Sequence, residues 1–203
     1  ERQPLLPNRL SQFGPPIAWL DLDADGWDDL VIGAGRGGAL AAFKNETGQS
    51  FTPIQKRLTR IPSARDYTSI IPWGANRNEL IIGLSNYEDG VASGDAISLL
   101  NWNQDAVRSV VNARKSSFGS LAAADFDQDG DLDLFVAGRV EPTRYPIAVD
   151  SYFFENDRGT LRLAHTFSKL GMVTGVVFSD LDGDGSPELI VAREWNTLKV
   201  FSG

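Results

Sequence analysis

The segment DFDQDGDLDLFVAG, residues 125–138, carries aspartate at every second position from 125 to 133 and then turns apolar. Five like charges in nine residues repel one another, and a foldable sequence avoids such a conflict unless something else resolves it. The same loop pattern, D-x-D-x-D-G-x-x-D/E, recurs as DLDADGWDD from Asp21 and DLDGDGSPE from Asp180. Each copy runs directly into an apolar stretch, so the pattern belongs to a repeated structural unit.

Four related apolar stretches divide the chain: DDLVIGAG from Asp28, NELIIGLS from Asn78, LDLFVAGR from Leu132 and PELIVARE from Pro187. Their second residues, Asp29, Glu79, Asp133 and Glu188, lie 50, 54 and 55 positions apart. An apolar run precedes each stretch (PPIAWL, YTSII, GSLAAA, VTGVVF), and candidates for two further strands follow, GALAAFKN and FTPIQKRL in the first unit, DSYFFEND and TLRLAHTF in the third. Four short strands per period of roughly 50 residues, without sustained 3.6-residue periodicity, predict an all-β chain built as β-propeller blades. The inner two strands of each unit are nearly continuous apolar runs, the pattern of strands buried on both faces.

The units are expected at about 16–60, 66–115, 118–168 and 172–203, in one propeller region spanning 1–203. The fourth stops after its third strand, NTLKVFSG. Residues 1–10 could supply the missing outer strand and close a four-bladed ring, or the units could be part of a larger ring of about seven blades. A start at Glu1 rather than Met implies processing or excision.

Composition narrows the function classes. With 203 residues, 42% hydrophobic and 10% aromatic, the chain can bury a substantial core. A net charge of −8 opposes nucleic-acid binding, which needs clustered Lys and Arg. No apolar run reaches the roughly 18–20 residues of a membrane-spanning helix. Cys is absent and His165 is the single histidine, placed in an outer strand, so thiolate chemistry and Ser-His-Asp catalysis lack their parts.

In the acidic loops, hard oxygen ligands at positions 1, 3 and 5 converge when the loop curls, Gly at 6 permits the bend, and the acid at 9 closes the shell. Position 7, Trp27, Asp131 or Ser186, contributes its backbone carbonyl. Without His or Cys, and with a flexible carboxylate cage, the set favours Ca2+ over Zn2+ and over the stricter octahedron of Mg2+; Mg2+ or Mn2+ are substitutes. About three sites are predicted, structural in role. The second unit has IPWGANRNE at the aligned place and retains only Glu79, so a blade can be built without an ion.

The loops and the strands after them resemble the FG-GAP or VCBS repeats of integrin-type propellers. The stretches LLPNRLSQFGPPIAWLDLDADGWDDLVIG, ADFDQDGDLDLFVAGRVEPTRYP and LGMVTGVVFSDLDGDGSPELIVAREW are similar to the cartilage acidic protein and ASPIC/UnbV group of secreted proteins. The resemblance implies calcium ligands at Asp21, Asp23, Asp25 and Asp29, at Asp125, Asp127, Asp129 and Asp133, and at Asp180, Asp182, Asp184 and Glu188. It also implies an extracellular, periplasmic or cell-surface location.

The resulting expectation is a non-enzymatic, calcium-binding module for protein or cell-surface interaction, as in adhesion proteins. The alternative is the propeller of a secreted polysaccharide lyase or hydrolase, binding carbohydrate. Partner-facing candidates are GRVEPTRYPIAVD (138–150), with Arg139, Glu141, Arg144 and Tyr145, and SNYEDGVASGD (85–95). Trp19, Trp27, Trp73, Trp102 and Trp195 are expected to pack between blades rather than form sugar platforms.

Overall fold

Within each unit the chain reverses where Gly, Asn or Asp relaxes the backbone, and the segments between reversals are rich in the β-branched and aromatic residues that fit a pleated surface. The computed structural model describes residues 14–74 and 79–202. Four antiparallel sheets result, each a simple meander. The first contains β1 (Ile17–Leu20), β2 (Asp29–Ile32), β3 (Ala41–Asn45) and β4 (Phe51–Pro53), and the second β5 (Asp66–Trp73), β6 (Glu79–Ser85), β7 (Asp95–Asn101) and β8 (Ala106–Asn112). The third contains β9 (Ser117–Ala124), β10 (Asp133–Val140), β11 (Ser151–Asp157) and β12 (Thr160–Phe167). The fourth has three strands, β13 (Val173–Ser179), β14 (Glu188–Arg193) and β15 (Lys199–Phe201). The proposed outer strand at 1–10 lies outside the described residues.

The inner strands pack in chain order, β1 beside β5, β5 beside β9 and β9 beside β13, giving an all-β, propeller-like array. Three separate cores fill the spaces between consecutive blades. Leu20, Val31, Leu80 and Ile82 lie between blades 1 and 2, and Ile81, Phe118, Leu134 and Val136 between blades 2 and 3. Phe135, Val173, Leu189 and Val191 lie between blades 3 and 4. Adjacent residues of β10 therefore serve opposite cores, which is why that strand reads as an unbroken apolar run. Burying each such side chain contributes about 1.5–3 kcal/mol.

Burial on both faces does not extend to the terminal blades. Ile17 and Trp19 on β1 are 57% and 52% exposed, and Val177 and Val200 on blade 4 are each 53% exposed. Among the described residues these outer faces of blades 1 and 4 are not covered by another blade. Two smaller expectations also change. FTPIQKRL gives only the three residues of β4, followed by a 3₁₀ turn at Leu58–Arg60. Among the tryptophans, Trp73 and Trp102 are buried, whereas Trp19, Trp27 and Trp195 are exposed because the end faces and loop tips that hold them have no facing blade among the described residues.

A close backbone approach explains one glycine in β10. A Cβ on Gly138 would fall 2.1 Å from the carbonyl oxygen of Asp150. This contact coincides with an irregular register between β9 and β10, and it presses the 141–150 loop against the blade.

Candidate metal centres

The three acidic loops occupy the same topological position, between the first and second strands of blades 1, 3 and 4. They also share a backbone conformation. Position 4 is left-handed in each, at Ala24 (φ 62°), Gln128 (φ 61°) and Gly183 (φ 80°), and so is position 6, at Gly26 (φ 90°), Gly130 (φ 96°) and Gly185 (φ 92°). Space is open around all three position-6 glycines, so the positive φ, not crowding, sets the requirement for Gly there.

The position-1 carboxylate folds the loop over itself. Asp21 accepts the Asp25 and Gly26 N–H groups (3.1 and 2.8 Å), Asp125 accepts Gly130 N–H (3.1 Å), and Asp180 accepts Gly183 and Gly185 N–H (2.7 and 3.0 Å). The position-5 carboxylate accepts the N–H two residues on, at Trp27, Asp131 and Ser186. This pattern gathers carboxylate oxygens with no more than 4.8 Å between any two: Asp21, Asp23 and Asp29; Asp125, Asp127 and Asp129; Asp180, Asp182 and Glu188. Asp25, Asp133 and Asp184 stand outside these triads. Asp131 directs a carboxylate oxygen to Arg158 N–H (3.0 Å).

Two observations fit the donor sets to a cation. Asp125 Oδ1 is buried without a hydrogen-bond partner, facing the cost of an unsatisfied charged acceptor. In blade 1 the Lys44 ammonium bonds Asp23 and lies 3.0 Å from Asp25, so a side-chain cation already stands among these acids. Its bonds to Asp23 and Asp25 raise the Lys44 pKa, and its bond to Asp25 holds that carboxyl below its ordinary range. The sequence reading did not identify Lys44; its position on β3, the neighbour of the β2 strand that leaves the loop, is the signal.

The position-9 acids have a second task. Asp29 is fully buried and accepts Leu22 N–H (3.0 Å) and Asn45 N–H (2.8 Å); Asp133, also fully buried, accepts Phe126 N–H (3.1 Å) and Asn156 N–H (2.9 Å). Glu188 accepts Leu181 N–H (2.8 Å). In blades 1 and 3 the acid thus ties the inner hairpin to the turn after the third strand. Asn45 and Asn156 cap that turn, bonding Gly48 and Gly159 N–H. Burial pushes the Asp29 and Asp133 pKa values up, against the lowering effect of these hydrogen bonds, and neighbouring carboxylates add to the rise.

In blade 2, Glu79 accepts the side-chain amide of Asn101 (3.0 Å); residues 75–78 of the aligned stretch lie outside the described residues. The SNYEDGVASGD loop wraps the buried Arg65, whose guanidinium bonds Asp89 and the carbonyls of Val91, Ser93 and Asp95. In the 138–150 loop, Arg139 and Tyr145 both bond Glu194, and Arg144 pairs with Glu141. His165 is exposed on β12.

Residues 125–191 match the FG-GAP-like repeat family, and residues 13–51 match the FG-GAP repeat family. No curated protein matches the chain. The matched segments contain all three acidic loops and leave out the blade that lacks one, and together they support an FG-GAP-type repeat domain.

Proposed function

We propose that this chain is a calcium-stapled, non-catalytic propeller module that presents loops to a protein or cell-surface ligand outside the cytoplasm. The observation that carries the calcium reading is the threefold repetition of one loop geometry that concentrates carboxylate oxygens, with an orphaned Asp125 oxygen in one copy and a lysine cation in another. Asp21, Asp23 and Asp29, Asp125, Asp127 and Asp129, and Asp180, Asp182 and Glu188 are the nearest donors. Asp25, Asp133 and Asp184, with the carbonyls of Trp27, Asp131 and Ser186, complete the proposed sets. Because ligands must converge before an ion is held, binding favours the folded hairpins.

FG-GAP repeats are typical of extracellular or surface proteins, which supports the location. No helix among the described residues is long and apolar enough to cross a membrane. The likeness to the cartilage acidic protein and ASPIC/UnbV group belongs to the same proposal. An adhesion-like role is favoured over a lyase or hydrolase because the clustered acids are absorbed into the three loops and the single histidine, on the outer strand β12, belongs to none of the acidic groups.

The test is ion counting after equilibrium dialysis against calcium. About three ions per chain are expected, with one lost in each of Asp21→Asn, Asp125→Asn and Asp180→Asn. Stoichiometry unchanged in all three variants would refute the assignment. Lys44→Gln removes the competing ammonium of loop 1. Exposed ion pairs are weak, so loop 1 should bind calcium up to about fivefold more tightly, read by calorimetric titration.

A further inference from the structure

At the end of blade 3 remote from its acidic loop, a cleft of about 590 Å³ lies between the connector before β9, the loop after β10 and the turn after β12. We infer that this cleft is a binding site for a carboxylate-bearing sugar, one or two rings of a uronic acid type. It goes beyond the ion reading, since none of its walls belongs to the acidic loops.

The charge around the cleft is opposite to that of the chain. Arg114, Lys115, Arg144 and Lys169 converge on it, against Glu141 and Asp150, in a protein of net charge −8. Glu141 is paired with Arg144 (3.0 Å), and Asp150 accepts the Lys169 backbone N–H (2.7 Å). Among the described residues, Arg114, Lys115 and Lys169 form no ion pair. Four cations against two carboxylates leave a net positive charge in the cleft, which draws an anion.

Arg114 supplies the specific feature. Its guanidinium lies over the Tyr152 ring, 4.6 Å from the centroid, which fixes its plane. Its Nε is buried and has no protein acceptor. A buried donor on a charged group is expensive to leave unmade, and an arginine fork held in one plane matches the two oxygens of a carboxylate. Arg114 thus lines the cleft with a guanidinium whose plane is fixed and whose hydrogen-bonding capacity is not used up within the protein.

The remaining walls favour a sugar over an acidic peptide. Peptides recognised by strand addition need a free strand edge. Here β11, which carries Tyr152, is already paired on both sides, with β10 and β12. Ile147 and Ala148 offer an apolar wall to the C–H face of a ring, and the volume suits one or two rings.

The experiment is calorimetric titration of the full chain, in calcium buffer, with a glucuronic acid dimer and with the neutral glucose dimer. The acidic dimer should bind and the neutral one should not, with affinity falling as salt rises. Arg114→Lys keeps the charge but loses the fork and should weaken binding about tenfold or more, as expected for a charge-assisted hydrogen bond. Arg162→Gln, on the exposed face of β12, should change nothing. Should the Arg114 variant melt early, Lys169→Gln, an exposed change, should still weaken binding a few-fold. Equal binding of both dimers, or unaltered affinity in Arg114→Lys, overturns the inference. Tighter binding of an Asp/Glu-rich peptide than of the acidic dimer overturns the sugar assignment. Calcium-dependent melting, measured on the same samples, separates failure of this site from failure of the ion reading.

Discussion

Chelation should lower the unfolding midpoint of this chain by on the order of 20 °C relative to the calcium-loaded state. A ligand that binds only the folded form stabilises it by about 2.7 kcal/mol at a hundredfold excess over its dissociation constant. Three such sites reach about 8 kcal/mol together, and in a domain of this size each kcal/mol moves the midpoint by about 2–4 °C. The physical source is plain in the loops. Carboxylate oxygens gathered within 4.8 Å of one another repel, and among the described residues Lys44 in blade 1 is the one side-chain cation paired with them. Scanning calorimetry in calcium and in chelator reads the effect. A shift under about 3 °C would remove the staple from the proposal, even if ions are counted on the chain.

Acid should narrow the gap, and the sign follows from Asp29 and Asp133. Burial, the strongest influence on each, raises both folded-state pKa values above the ordinary 3.8. A carboxyl shifted upward on folding favours the folded state most when protonated. Without calcium, the contribution of these two groups is full below about 3.8 and is lost as pH rises through the raised values. Calcium loading runs the other way, because ligands must be deprotonated. The difference in midpoint between calcium and chelator should therefore shrink as pH falls from 7 toward the carboxylate range.

The fold was legible because two independent periodicities agree. Apolar runs recur every 50 to 55 residues, and the acidic loop recurs in register with three of them. The loop conformation was legible in the same way, since Gly at position 6 is where φ is positive in all three copies. What lay beyond the sequence is what depends on neighbours far along the chain. Trp19 reads as a core residue, yet its face of β1 has no facing blade among the described residues, and it is half exposed. Lys44 reads as an ordinary outer-strand lysine until the β2–β3 pairing brings it to Asp23. Arg65 falls between the expected units 16–60 and 66–115, and only the folded chain shows it filling the 86–95 segment with hydrogen bonds.

The position-9 acid is the residue whose meaning changed most, and Asp133→Ala should cost about 3–5 kcal/mol even in chelator. The sequence assigns Asp133 to an ion, whereas the structure shows its two oxygens accepting Phe126 and Asn156 N–H groups in a fully buried setting. Truncation leaves two buried donors unmet, at about 1–3 kcal/mol each. Asp133→Asn keeps one acceptor oxygen and should cost about half as much. Glu79, at the same place in blade 2, accepts one side-chain amide from Asn101 and is only partly buried. Glu79→Ala should therefore cost about 1 kcal/mol. Urea denaturation in chelator gives the ranking without any ion present. An Asp133→Ala cost no larger than that of Glu79→Ala would mean that the carboxylate matters only for metal. A cost that persists without calcium means that the acid first joins two turns of one blade. The ion would then be added to a loop whose base is already fixed, which explains how blade 2 retains its acid at Glu79 without the other loop carboxylates.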